Sequence, residues 1–366
     1  MKKQILGLAV FLLVLGFSNI LCSNEAIDNF MPETVPALAE YYALASAASL
    51  NPQEKTISIK TQHDPKEETS EFILLKSLPA NNKGTINIFT KDNGLFITKT
   101  SAGKINTKTM KQLSINASSS SKLLVNKDNP LPKYFVPKNL TGISPERVKL
   151  EYSGLKLIPK TLDALYSMVD DAKKKGIKGF IINSAYRSLS SQQIIFDSNL
   201  NSFKKTSKTY EEAYAKTRLL VALPGSSEHH TGLALDIFSV NGRHRNDFEG
   251  TKEQIWLNQN LYKYGFIIRY PKDKTTETSS TYEPWHIRFV GTSLSTYMTE
   301  NNLCLEEFYN KILADEMLEN SQYLFMRVKS SQKVYVSPEL LDDVKLETVN
   351  KENGLLTVGK LFSNSL

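Results

Sequence analysis

The sequence predicts an α+β fold, a small central antiparallel sheet with helices against it and β-rich segments on either side. Three observations carry this. Leu162, Leu165, Met168 and Val169 recur at helical spacing. Gly179-Phe180-Ile181-Ile182-Asn183-Ser184 and Leu233-Ala234-Leu235-Asp236-Ile237-Phe238 are apolar runs of the length of buried strands. Before and after this central stretch the pattern turns to short strand-like runs with turn signals between them.

Residues 1–22 read as an export signal, with Lys2-Lys3 ahead of an apolar run from Ile5 to Phe17. That run is short for a membrane span. Cys22 follows where a bacterial lipoprotein carries its lipidated cysteine, although Leu21 occupies a position that prefers a small residue. A lipid on Cys22 would tether the chain to a membrane without spanning it. The only other cysteine is Cys304, so no intramolecular disulfide is expected once the signal is removed.

Residues 23–117 read as a helix and a β-rich module. The helix covers Val35 to Leu50, with Leu38, Tyr41, Tyr42 and Ala45 on one side, and ends at Asn51-Pro52. Strands are expected from Thr56 to about Ile115, and Asp92-Asn93-Gly94 marks a hairpin between Ile86–Phe89 and Leu95–Thr98. Ser118 to Ser121 read as a linker. Residues 118–304 form the central domain. Its helices are Leu162–Lys175, Gln192–Leu200, Tyr210–Leu220 and one near Glu253–Tyr264. The strand ending at Ser184 delivers Tyr186 and Arg187, and His286 opens a short strand Ile287–Val290. Residues 305–366 are a C-terminal helix to about residue 320 and a strand-like tail with Asn353-Gly354 as a turn. The tail either completes the amino-terminal β-module or stands alone; both remain open.

At 366 residues, 40% hydrophobic and 23% charged, the chain can bury a sizeable core. Its formal charge of +7 includes Lys2 and Lys3, which leave with the signal. A basic exported protein is drawn to anionic wall polymers or lipid headgroups, and nucleic acid is excluded as a partner by the export signal. Lys173-Lys174-Lys175 reads as the solvated end of a helix, and a monomer is expected.

The chemistry concentrates in Pro224-Gly225-Ser226-Ser227-Glu228-His229-His230-Thr231-Gly232-Leu233-Ala234-Leu235-Asp236 and in Glu283-Pro284-Trp285-His286. Two imidazoles and a carboxylate are the protein ligands of a hydrolytic zinc site, whose fourth position is left to water. His229, Asp236 and His286 are the expected ligands of a single Zn2+, and Glu283 the base. Ala234 shares a strand face with Asp236 and leaves room for an ion. His229 lies an odd number of residues before Asp236, so a bend is needed, and Thr231-Gly232 can supply it. Pro284 holds Glu283 extended.

These motifs resemble the VanY-type zinc D-alanyl-D-alanine carboxypeptidase family. Ser227-x-His229-x-x-Gly232-x-Ala234-x-Asp236 and Glu283-x-x-His286 carry the resemblance. It is joined by Leu124-Val125-Asn126-Lys127 with Leu131-Pro132, Ser184-Ala185-Tyr186-Arg187-Ser188 with Gln192, and Tyr264-Gly265-Phe266 with Arg269-Tyr270-Pro271. It covers roughly residues 122 to 300. Ala185, Leu223, His230 and Ser279-Ser280 depart from the usual residues, and none of them is a ligand or the base. The resemblance implies zinc on His229, Asp236 and His286, Glu283 as the base, and Arg187 facing the substrate's carbonyl or carboxylate. It implies a peptidoglycan stem peptide ending in D-Ala-D-Ala as the substrate, with L,D-cleavage of tetrapeptides as the alternative. A non-catalytic wall-binding lipoprotein is the rival from another class.

Bland readings stand beside these. A lone histidine is more often structural, and His63, His230 and His244 are read that way. Asp236 could cap a backbone, but an unpaired charge inside an apolar strand is costly and a cation removes that cost. Arg187 could form a structural ion pair, although its place after a strand suits paired hydrogen bonds to a carboxylate. Ser227, Tyr186, Gln192 and Trp285 are candidate substrate contacts, with Trp285 shaping the pocket.

Overall fold

The computed structural model describes residues 56–57, 72–79, 85–100, 105–114, 120–315, 317–350 and 353–359. The export signal with Cys22, the helix expected over 35–50 and His63 lie outside the described residues.

The strands before the central domain are β1 (Thr56–Ile57), β2 (Phe72–Pro79), β3 (Thr85–Lys91), β4 (Gly94–Thr100) and β5 (Lys111–Leu113). Asp92 and Asn93 turn the β3–β4 hairpin, with Lys91 opposite Gly94 and Asp92 at φ 51°. The central domain starts with the short strands β6 (Thr141–Gly142), β7 (Lys149–Leu150) and β8 (Lys156–Leu157). It continues through α1 (Pro159–Lys174), β9 (Phe180–Ser184), α2 (Leu189–Lys204), α3 (Tyr210–Leu220) and β10 (Ala234–Ser239). Then come α4 (Arg245–Phe248), α5 (Lys252–Asn260), β11 (Phe266–Tyr270), α6 (Thr275–Thr278) and β12 (Glu283–Phe289).

Sequence chemistry explains these boundaries. Pro159 opens α1, where a missing N–H costs nothing, and Leu162, Leu165, Met168, Val169 and Ala172 form its buried face. Ser188, Thr209 and Thr251 cap α2, α3 and α5, each accepting from a backbone N–H three residues on.

The central sheet runs β11-β12-β10-β9-β7. Its four long strands are antiparallel as expected, but β7 adds to β9 in parallel, so the sheet is mixed. Ile182, Leu235, Ile237, Phe266 and Ile287 pack with the α1 face as one core. β12 is also longer than expected: Glu283 already belongs to the strand that His286 was expected to open.

The C-terminal part corrects two expectations. After α7 (Thr292–Glu300), helix α8 spans Leu305–Asp315 and β13 (Met317–Glu319) replaces its expected last turn. The strands β14 (Tyr323–Lys329), β15 (Lys333–Val336), β16 (Val344–Thr348) and β17 (Asn353–Gly359) follow. Asn353-Gly354 therefore opens a strand, and Val349 N donates to Asn353 O at 2.9 Å.

The open question about the tail is answered by strand order. One sheet runs β1-β2-β3-β4-β15-β5 and another β13-β14-β17-β16. A tail strand thus sits between two amino-terminal strands, parallel to β4. Ile86, Ile88, Leu95 and Ile97 share a core with Leu324, Val328, Val334 and Leu356. Residues 23–117 and 305–366 are not two separate appendages; their described strands make one β-module. Another core joins that module to the central domain, with Phe325, Val349 and Leu355 packed on Leu294, Tyr297, Phe308 and Ile312. A strap over 120–126 crosses the same junction. Leu124 N donates to Val349 O at 3.2 Å, and Lys122 Nζ reaches Val290 O.

Candidate active site

Asp236 sits at an irregularity in the sheet. It pairs with Ser184, yet Ile237 pairs with Ile182, so β9 has one extra residue at this point. A second irregularity lies between β11 and β12, where Ile268 pairs with Ile287 but Tyr270 with Glu283. Glu283 and His286 are three apart, which sends side chains of a regular strand to opposite faces. The altered register lets both line one pocket.

The turn expected at Thr231-Gly232 is a short 3-10 helix, Glu228–Thr231, closed by Gly232 at φ +66°. A Cβ on Gly232 would lie 3.1 Å from both Ile158 Cγ2 and Leu140 Cδ2, so conformation and space both call for glycine. This helix carries His229 to Asp236. Donor atoms of His229, Asp236 and His286 all lie within 4.8 Å of one another, and all three residues are buried. His286 Nδ1 is 3.0 Å and His229 Nε2 3.4 Å from Asp236 Oδ1. Tetrahedral zinc ligands at about 2.0–2.1 Å stand about 3.4 Å apart, so the two separations from Asp236 suit that ion.

The second ring nitrogens support the fit. His229 Nδ1 donates to Ala185 O at 2.6 Å, so Nε2 carries the lone pair, which faces Arg187 Nη2 at 2.7 Å with Asp236 Oδ1 at 3.4 Å. Burial, reinforced by Arg187, pulls the His229 pKa down to about 4, so the ring is neutral near pH 7. Burial also acts against charge on His286, but the carboxylates of Asp236 and Glu228 outweigh it and raise that pKa to about 9. Asp236 is held well below the ordinary carboxylate range: burial opposes its charge, and His229, His286 and Arg187 overcome it. The cluster favours positive charge between its carboxylates.

Arg187 was expected to face substrate. In the structure its Nη2 lies 2.8 Å from Asp236 Oδ2 and 2.7 Å from His229 Nε2. Nε donates to Ser184 Oγ at 2.8 Å, and Nη1 to Gln192 Oε1 at 3.0 Å. Gln192, buried and anchored by Ala222 O, thus holds Arg187 in place. The guanidinium still borders the pocket, which measures about 410 Å3. Tyr186, Gln192, Ser227 and Trp285 line it too, together with Glu283, Tyr270 and Ser280. Trp285 also stacks on Phe238 at 5.7 Å, which makes it a core residue with one pocket face.

His230 is a structural histidine: its Nδ1 donates to Arg187 O at 2.7 Å, and its Nε2 accepts from Gly225 N at 3.1 Å. His244 stands outside the pocket, at the start of α4. Sequence reasoning gave no role to the buried group formed by Glu228, Arg269 and Arg288, nor to Tyr270, whose ring lies 5.1 Å from that of His286. A charged residue inside an otherwise apolar strand, as at Arg288, was the available signal.

Residues 154–292 match the family described as VanY, D-alanyl-D-alanine carboxypeptidase. YodJ of Bacillus subtilis is 42% identical over 197 residues, which are 52% of this chain and 67% of that protein. A D-alanyl-D-alanine carboxypeptidase of Enterococcus faecium is 35% identical over 255 residues, 66% of this chain and 77% of that one. Among solved structures, the D,D-dipeptidase VanXYg with a D-Ala-D-Ala phosphinate analogue is 26% identical with a TM-score of 0.57. It covers 68% of this chain, which in turn covers 99% of it. A VanY from a VanB-type resistance cassette, solved with Zn(II), is 37% identical with a TM-score of 0.45, over 52% of this chain and 99% of that one.

Proposed function

The chain belongs to the VanY-type zinc D-alanyl-D-alanine carboxypeptidase family, and from that premise we propose that it trims the terminal D-Ala from peptidoglycan stem peptides. The observation that carries this reading is the convergence of two imidazoles, one aspartate and Glu283 on a single pocket. Zinc held by His229, Asp236 and His286 would supply Lewis-acid polarisation of the scissile carbonyl and of a water. The remaining work falls to side chains. Glu283 takes a proton from the attacking water and returns it to the leaving amine. Arg187, tethered by Ser184 and Gln192, sets positive charge beside the reacting group and keeps one Nη1 N–H for an oxyanion or a terminal carboxylate. Tyr186, Ser227 and Trp285 wall the pocket around the peptide.

Defined pentapeptide and tetrapeptide stems, with and without chelator, test the proposal. D-Ala is expected from the pentapeptide, with loss on chelation and recovery on adding zinc. Release from the tetrapeptide alone would replace D,D- by L,D-specificity, and no release from either would leave the wall-binding rival.

We further propose export to the bacterial cell envelope, with Cys22 as the lipid anchor. Lys2-Lys3, the apolar run behind them and the place of Cys22 support this. Among the described residues no helix is long and apolar enough to cross a membrane. Fatty-acid labelling of the wild-type chain that disappears in Cys22→Ser is the expected result, and equal labelling of both rules the anchor out.

A further inference from the structure

Glu228 immediately precedes a metal donor, yet belongs to no part of the chemistry described so far. It is fully buried and so are its two partners: Oε1 accepts from Arg269 Nε at 2.9 Å and from Arg288 Nη1 at 2.7 Å. Its other oxygen is different. Oε2 is buried without a hydrogen-bond partner and faces His286 Nε2, equally buried and unpartnered, at 3.6 Å. Two orphaned polar atoms would each carry a desolvation cost, and a small rotation of either side chain turns them into one charge-assisted hydrogen bond.

The direction of that bond follows from the ring's other nitrogen. Nδ1 of His286 lies 3.0 Å from Asp236 Oδ1, on the side of the metal donors. A neutral imidazole has one N–H, so an Nδ1 lone pair given to a metal places the proton on Nε2, where Glu228 can accept it. We propose that Glu228 is a positioning residue of the metal site: it fixes the Nε2–H tautomer of His286 and aims Nδ1 at the ion. The two arginines have a defined part in this. Both bind Oε1, which turns Oε2 to the histidine and offsets the buried negative charge. Arg269 is in turn held by Glu306 of α8 through bonds of 2.9 and 2.6 Å, and Arg288 Nη2 donates to Leu123 O at 2.7 Å. These outer contacts anchor the arginines, whereas the carboxylate that faces His286 is that of Glu228 alone.

The inference rests on the zinc reading of the site, and the test separates the two. Zinc dissociation constants are measured at fixed pH by competition with a chromophoric chelator, on wild type, Glu228→Asp and Glu306→Gln. Asp keeps the charge for both arginines but withdraws the carboxylate from His286. It is expected to keep the metal-free circular dichroism spectrum and to weaken zinc about ten- to a hundredfold, the usual range for such outer partners. Glu306→Gln removes a carboxylate from the same buried group without touching His286, and zinc affinity is expected to stay at the wild-type level. Wild-type affinity in Glu228→Asp, or the same loss in both variants, overturns the proposal. A nitrogen NMR measurement on zinc-loaded wild type decides the matter even if Glu228→Asp does not fold: Nε2 protonated and Nδ1 on the metal support it, and the reverse overturns it. A wild-type chain that binds no zinc instead overturns the reading of the site itself.

Discussion

Glu283→Gln keeps the size of the side chain and an oxygen that can accept a hydrogen bond, but not the ability to take a proton. Transfer by a placed base is worth about a hundred- to ten-thousandfold in rate. The variant is therefore expected to keep wild-type zinc and melting temperature and to lose at least about a hundredfold in alanine release, by that same range. Near-native turnover would remove Glu283 from the mechanism, and lost zinc would make it a structural residue. Lys122 gives a prediction of another kind. Burial pushes its pKa down to about 8 from 10.5, with Glu347 only partly opposing. The folded chain releases this proton before the unfolded chain does, so between those values the unfolded state holds more protons and stability rises with pH. Relative to Lys122→Met, the wild type is expected to gain about 2 kcal/mol from pH 7.5 to 9.5, read from urea unfolding. A flat difference would mean that the amine is uncharged or solvated throughout. The meeting of His229, Asp236 and His286, with Glu283 on the same pocket, was legible in the sequence, because each stands in a spaced motif. The partners of Arg187 were not: Asp236 and His229 lie far along the chain, and only the fold determines which of them a guanidinium meets.

Elements decide whether these residues meet at all. The helix α1, the strand β9 and the hairpin at Asp92-Asn93 follow from periodicity and turn chemistry, which are local. The irregularities at Asp236 and between Tyr270 and Ile268 are not local, because they arise from pairing with a neighbour strand. That is why Glu283 and His286 share a pocket despite an offset that strand alternation forbids. The same limit explains Asn353-Gly354: a turn dipeptide by composition, it lies in β17 because β14 pairs with it there, Lys329 opposite Asn353 and Val328 opposite Gly354. Gly232 is the element-scale position most open to test. Left-handed backbone costs a non-glycine residue about 1–3 kcal/mol, and here the added carbon also presses on Ile158 and Leu140. Gly232→Ala is expected to lower stability by about that amount and to weaken zinc by displacing His229. Unchanged unfolding and zinc titrations would show that the turn tolerates a side chain.

At the scale of the whole molecule, the tail and the amino-terminal strands come together across the entire central domain. Strand-like runs in both were visible, but which edge a distant strand joins depends on shape and not on local pattern. Closure by β15 between β4 and β5 makes the module depend on both ends of the chain. The core that joins it to the central domain makes cooperative unfolding testable. Phe325 of β14 is fully buried there, with its ring 5.3 Å from Tyr297 and 5.6 Å from Phe308. Truncating a buried phenylalanine costs about 3–5 kcal/mol. If the two parts unfold as one, Phe325→Ala shifts a single calorimetric transition to lower temperature, and zinc loss follows the same curve. If the β-module is an independent body, the variant produces an early transition that leaves zinc bound until a second, unshifted one. The strap over 120–126 favours the first outcome, since Arg288, two residues beyond His286 in β12, bonds to Leu123 O while Leu124 pairs with Val349 of the module. Melting the module should then release that strap from the strand that carries a metal donor, so heat should take zinc and β-structure together.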